Sequence, residues 1–268
     1  MSIPIFPLGC HPAREDRRTL DLGKYLNLSR LSITEQAQAQ SAFDWSYRWD
    51  RAGGSYIPYP MAGNNRYKDC VFASACHQLI TWIANTHPGS QVITEADALD
   101  AYHRLGLFQP GINWTDHGAS MLLTAVQWRV RPIAGHKLAA FVSVDRNNEA
   151  MVAAASWLCG GLWIGWNWPL AWQGAEEWNV SPTGSTEGKW APRSWGPHAT
   201  HGPAISPQTL PIITWGGRLP ATWPAFHAYS AECYGLLSAD LWATLEGGLC
   251  PSGFDFERLK HDLQEVTK

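Results

Sequence analysis

The apolar residues of this chain change period once, close to Pro132, and that change limits the folds open to it. Before it they recur at helical spacing. From Asp69 to about Asn85, Val71, Phe72, Ala75, Leu79, Ile80 and Ile83 fall on one broad face. "TEAD" at 94–97 is a capping box with Asp in place of the usual Glu or Gln, and it opens a second helix running to about Leu105. "DHGASMLLTAVQWRV" predicts a third helix, stopped by Pro132. Beyond that point "KLAAFVSV" (137–144) and "LWIGW" read as strands, with a helix "NNEAMVAAASWL" between them that Gly160 and Gly161 close. "HAT", "TLPIITWG" and "AECYGLLS" are further strand candidates, and "PAFHAY" is a short helical stretch. "SADLWATLE" and "DFERLKHDLQEV" end the chain as helices, with Ser238 and Asp255 as N-caps. A helical first half and a strand-rich second half predict an α+β fold with a cleft between the two.

Residues 1–55 hold no sustained period and read as an N-terminal extension wrapping the fold; a domain over 56–268 follows. Within it we expect a helical lobe over about 56–131, a strand-rich lobe over about 132–237 and closing helices over 238–268. The extension lacks the long amphipathic, charged helix of a propeptide. Twenty Lys and Arg against 23 Asp and Glu leave no electrostatic footprint for nucleic acid. No apolar run approaches the roughly 20 residues that span a bilayer. The N-terminus lacks the basic start and apolar stretch of a secretory signal, so a cytoplasmic location is expected. Six cysteines, at 10, 70, 76, 159, 233 and 250, are too few for a disulfide scaffold and are expected reduced.

Six of the sixteen tryptophans lie in "WLCGGLWIGWNWPLAWQGAEEW", residues 157–178. An aromatic platform for a glycan or extended peptide is one reading. The other is a core or cleft wall of large rings whose N–H groups find partners. Because the cluster begins on an alternating strand pattern, the core reading is preferred.

The chemistry concentrates in "NNRYKDCVFASACHQLITW", residues 64–82. Asp69 stands where an N-cap belongs, its carboxylate placed for the amides of Val71 or Phe72. Cys70 is then the first helical residue, where the helix dipole and its own free N–H favour a thiolate and a developing oxyanion. Cys76, nearly two turns on, reads as a small buried hydrophobe. The dipole supplies only about 0.3 to 1 kcal/mol near a surface, less than one pKa unit, so an imidazolium partner must do most of the activation. Ten histidines are available. Cys70, Cys76 and His77 do not make a zinc site, since C-x5-C-H within one helix departs from the C-x2–4-C spacing of structural sites. With no GxxxxGK[ST] or GxSxG motif either, no cofactor or metal is expected.

These residues resemble the helix entry of papain-like cysteine peptidases. In that family an amide side chain six residues before the nucleophilic cysteine completes the oxyanion hole, and Asn64 stands at that offset. A histidine opening a strand follows 130 to 150 residues downstream; "SWGPHAT" places His198 at 128. The strand after it ends Asn-Ser-Trp-Gly in papain itself, and "PIITWGG" matches at Trp215 and Gly216. "TDHGASMLLTAVQW" resembles the family's Gly-Gly turn and helix. The likeness spans about residues 60 to 240, and "NNRYKDC" and "PHAT" are closer still to the "NDRYGDC" and "GGHAV" of a bacterial and phage branch. The resemblance implies a two-lobed fold and a thiol-dependent hydrolase of peptide or isopeptide bonds, with hydrolysis or transfer to an amine left open. It implies Cys70 as nucleophile, His198 as base, Asn64 at the oxyanion and Trp215 as shield. Peptide or protein would be the substrate, with no nucleic acid or membrane involved. The family's orienting Asn falls on Ile213, which cannot hydrogen-bond; Thr214 could serve only if a bulge shifts the strand register. Gly202, Pro203 and Pro207 are expected to break the histidine strand. The alternative is an inactive module of this fold that binds a protein or glycan partner through a tryptophan-lined cleft.

Overall fold

A computed structural model describes residues 6–16, 19–31, 42–48, 54–241 and 254–265. Six helices lie within them: α1 (Cys70–Thr86), α2 (Glu95–Gly106), α3 (Met121–Trp128), α4 (Glu149–Cys159), α5 (Trp223–Tyr229) and α6 (Phe256–Glu265). Short strands β1 (Phe43–Asp44), β2 (Tyr47–Arg48) and β3 (Ser55–Tyr56) precede α1. The main sheet is built from β4 (Leu138–Ser143), β5 (Leu162–Trp168), β6 (Gly196–Gly202), β8 (Thr209–Thr214), β9 (Gly217–Thr222) and β10 (Ser230–Ser238). Its strand order is β4-β10-β5-β6-β8-β9, and β7 (Ala204–Ile205) pairs instead with β1.

Local signals explain most of these boundaries. Thr94 and Asp97 close the capping box of α2, and Ser120, Asn148 and Thr222 accept from the first-turn amides of α3, α4 and α5. Gly160, at φ +67°, ends α4 in the left-handed conformation. Of the helix expected over "SADLWATLE", residues 242–246 lie outside the described residues, and 238–241 are not helical, Ser238 being the end of β10. Ser238 does accept from the amides of Asp240 and Leu241, and Asp255 caps Arg258.

One expectation is corrected. Asp69 makes no side-chain cap; its backbone carbonyl accepts from Phe72 and Ala73, while its carboxylate turns back to Asn64. The histidine strand does break where expected: β6 ends at Gly202, Pro203 lies in no strand, and β7 pairs instead with β1. A Cβ on Gly202 would lie 3.0 Å from the Ile164 Cδ1, so the glycine leaves room for a core side chain.

Helix α1 packs across β6 and is almost wholly buried, Cys76 included. The tryptophan stretch is interior: Trp163, Trp166, Trp168, Trp172 and Trp178 are no more than 1% exposed. Trp172 and Trp178 stack at 5.0 Å between centroids, and Trp168 meets Trp178 edge-on at 4.2 Å. Trp163 and Trp166 donate to Ser74 and Thr200, as buried indoles should. Trp168, Trp178 and Trp215 find no acceptor among the described residues, and other rings pack against them.

Candidate active site

Cys70 opens α1, and its thiol is interior, with the residue 1% exposed. The backbone amides of Ala199, Gly9 and Val71 favour the anion of this thiol. Burial outweighs them and pushes the thiol up to about 12. The Ala199 amide belongs to the residue after His198. Along β6, Ala199 and His201 face α1, whereas His198 and Thr200 face the tryptophans.

His198 is fully buried, and burial alone lowers its pKa to about 3. Its Nε2 lies 2.8 Å from the Thr214 Oγ1. Its Nδ1 has no hydrogen-bond partner among the described residues, and the ring lies on the face of β6 away from α1, so the structure does not bring it to the Cys70 thiol. Trp168 and Trp215 lie against the ring at 4.1 and 5.0 Å between centroids. Ile213 does not meet this histidine: it pairs in register with His201 and packs with Ile57 and Tyr59. Trp215, at φ +47°, and Gly216, at φ +69°, form the two-residue turn from β8 to β9. A tryptophan in that conformation carries strain of order 1–3 kcal/mol, and packing on Phe6, Trp168, Trp195 and His198 holds it there.

Asn64 is buried beside the helix entry. Its Nδ2 donates to the Asp69 Oδ1 at 3.1 Å and to the Tyr67 carbonyl at 3.3 Å, while the Asp69 Oδ2 has no partner among the described residues. Burial holds the Asp69 carboxyl well above the usual carboxylate range. His201 joins Thr81 of α1 through Nε2 at 2.8 Å, and His77 reaches the Pro60 carbonyl at 2.8 Å. Each of these two is bound into the packing of α1. No group of three or more metal-ligating side chains occurs among the described residues.

The expected N-terminal extension contributes one further component, whose path has no local sign in the sequence. Residues 6–11 run across the site as a strap. Phe6 packs on Trp215 at 5.3 Å, and Leu8 fills the space a side chain at Gly196 would take. Gly9 accepts from the Ala119 amide at 2.9 Å, and His11 donates to the Ala119 carbonyl at 2.8 Å. Cys10 thus pairs with Ala119 as an isolated parallel bridge. The fit is tight on both sides of Gly9. A Cβ on it would lie 1.9 Å from the Lys68 carbonyl oxygen, and a Cβ on Gly118 would lie 1.9 Å from the Gly9 oxygen.

In sequence the chain matches no family profile and no curated protein. In three dimensions it is similar to the crystal structure of xylellain, a cysteine protease from Xylella fastidiosa. The TM-score is 0.61 at 10% identity, covering 88% of this chain and 99% of that one. At so low an identity the likeness speaks to the fold alone, and that fold is α+β and papain-like.

Proposed function

We propose that this chain is a thiol-dependent peptide hydrolase held latent by its own residues 6–11. The observation that supports the reading is the thiol at the α1 entry under the strap, beside the Ala199 amide; His198 is the preceding residue of β6, with its ring on the other face of the strand. In the tautomer whose Nε2–H donates to Thr214, Nδ1 keeps its lone pair, and it takes the thiol proton once opening of the strap lets the ring turn to the Cys70 face of β6. The thiolate attacks a peptide carbonyl, and His198 returns the proton to the leaving amine. Water then cleaves the thioester by the same general-base route. The Cys70 amide, at the free end of α1, is one oxyanion donor, and Asn64 is the second if it exchanges its bond to Asp69 for the substrate oxygen. Trp168 and Trp215 keep water from the imidazole. The likeness of "NNRYKDC" to the bacterial and phage branch is consistent with this assignment.

In the strapped state the proton stays on sulfur, since Cys70 lies near 12 and His198 near 3. Withdrawal of the strap readmits solvent, moves both values toward their ordinary ranges and makes the ion pair accessible. The inactive binding module has less support, because the tryptophans that would line its cleft are core.

The test compares the full chain, a Gly9→Ala variant that loosens the strap, and Gly9→Ala with Cys70→Ser. Release of dye from a fluorescein-labelled denatured protein is the readout. Hydrolysis that rises in the first variant and vanishes in the second is expected. Equal activity with and without Cys70, or none after the strap is shown to be open, overturns the reading.

A further inference from the structure

We infer that the outer face of α3 docks an acidic, amphipathic helical segment of another protein. Helix α3 turns Met121, Leu122, Ala125 and Trp128 into the core, as a covering helix should. Its other face is not polar. Leu123, Val126 and Val130 recur at i, i+3 and i+7 and are 46%, 46% and 67% exposed. Arg129, the C-cap, keeps helical backbone angles, so Val130 continues the stripe. Arg131 reaches the Arg104 carbonyl at 3.5 Å, and Arg104 donates to the Pro132 carbonyl at 2.9 Å. Those bonds set the end of the stripe beside the C-terminus of α2, where Leu107 is 71% exposed. Among the described residues ten large apolar or aromatic side chains are exposed. Six of them fall between 107 and 130, Ile112 and Trp114 being the other two. Hydrophobes scattered singly over a surface would not be so confined.

The charges around this face select its occupant. Residues 117–137 carry Arg129, Arg131 and Lys137 and no Asp or Glu, in a chain whose formal net charge is −3. The carboxylates that flank the stretch are engaged. Asp100 pairs with Arg104 at 2.7 Å, Asp240 pairs with His136 at 2.7 Å, and Asp116 accepts from the Lys68 amide and the Tyr102 hydroxyl, each at 2.9 Å. Arg129 stands about 60° round the helix from Val126. It is partly buried, and its guanidinium has no hydrogen bond or ion pair among the described residues. Burial lowers its pKa, and no acid opposes that. An unpaired, partly desolvated guanidinium beside an apolar stripe is complementary to a carboxylate on a helix that lays its own apolar face on Leu123, Val126 and Val130. A second copy fits poorly, because a two-fold axis through α3 would bring the same cations together with no carboxylate from this stretch between them. An anionic bilayer favours cations that extend at the rim of the apolar face, and Arg129 is drawn in against the fold.

The test displays a library of four-turn helical peptides and selects binders on the full chain. Leu is fixed at i, i+4 and i+7, and Glu, Gln, Ser or Lys is allowed elsewhere. Enriched peptides should carry Glu beside the leucines. Their affinity, read by fluorescence anisotropy, should fall about 10- to 100-fold in Arg129→Gln, the worth of a hydrogen bond to a charged group. Arg129→Glu should turn the selected charge from Glu to Lys. Val126→Asp and Leu123→Asp change exposed positions, so each should keep the parent's unfolding midpoint and abolish enrichment. No enrichment on the parent, enrichment without a charge preference, or binding indifferent to these substitutions overturns the inference. A dimer in sedimentation velocity that Val126→Asp dissolves also overturns it, as does binding to phosphatidylserine-containing vesicles that Val126→Asp removes, since each assigns the face to a different occupant.

Discussion

Replacing Gly9 by alanine adds a single methyl group where the strap crosses the thiol. That methyl would sit 1.9 Å from the Lys68 carbonyl oxygen, more than an ångström inside ordinary contact, and the obstacle is backbone, which cannot rotate away. Overpacking of this kind costs about 1–3 kcal/mol. The cost falls on the closed strap alone, so the open population should rise about 5- to 150-fold. Alkylation from the open state in rapid pre-equilibrium rises by the same factor. The closed state adds little background, since a thiol near 12 is about one part in 10,000 thiolate at pH 8. The assay is iodoacetamide labelling of the native protein followed by peptide mass spectrometry. Cys76, Cys159 and Cys233, all buried, are internal references in the same digest. Gly184→Ala is the control for strain, since Gly184 has φ +71° but open space around it. Selective acceleration of Cys70 in Gly9→Ala and none in Gly184→Ala is expected. An unchanged Cys70 rate in a folded variant, or parallel acceleration of all four thiols, would refute the reasoning.

Thr214→Val leaves both ring nitrogens of His198 buried without partners, costing about 1–3 kcal/mol of stability by urea titration. In the Gly9→Ala chain it should also cut kcat at least tenfold, and Thr214→Ser should restore most of that loss; equal kcat in all three would remove Thr214 from the site. Asn64→Ala in the same chain should lower kcat roughly 10- to 1,000-fold with KM little changed, and an unaltered kcat would mean its amide never leaves Asp69. The third expectation concerns acid. Burial lowers His77 to about 4 and His198 and His201 to about 3, below the ordinary 6.5, so from about pH 6.5 to 4 the unfolded chain binds protons the native state does not. Stability is therefore lost as pH falls through that window, while the raised carboxyls of Asp69 and Glu232 act in the opposite sense. Against the parent, His201→Gln should flatten the pH dependence by about 1.4 kcal/mol per unit near pH 5. An identical slope in urea unfolding across pH 5 to 7 would count against a neutral buried His201.

Elements whose signals are local were legible in the sequence: the apolar face of α1, the capping box of α2, the Gly160 stop. What was missed depends on partners far along the chain. Strand β9, "GRLPAT", carries Pro220 and reads as loop, yet it is the sheet edge, where a missing N–H costs little. Pro211 is tolerated in β8 because β8 meets β6 only at its far end, at Ile213. That same pairing decides which residue reaches His198. Alternation along β8 puts Ile213 on one face and Thr214 on the other, and no spacing rule shows which face the imidazole occupies. The N-terminal extension is expected to wrap the fold, but the path of its strap is harder to read. "FPLGCH" has no period, and its backbone hydrogen bonds go to Ala119, more than a hundred residues away.

The ring of indoles around His198 also has an optical consequence. Trp168 and Trp215 flank the imidazole, Trp215 carries Phe6 of the strap, and Trp168 touches the stacked pair Trp172 and Trp178. Coupled indole transitions of this kind add a signed pair of bands to the far-ultraviolet circular dichroism. They also make emission sensitive to the protonation of an adjacent histidine, because imidazolium quenches indole. Withdrawal of Phe6 alters the environment of one member of the set directly. The strap and the imidazole can therefore be followed in unlabelled protein, by stopped-flow fluorescence, before any substrate is known.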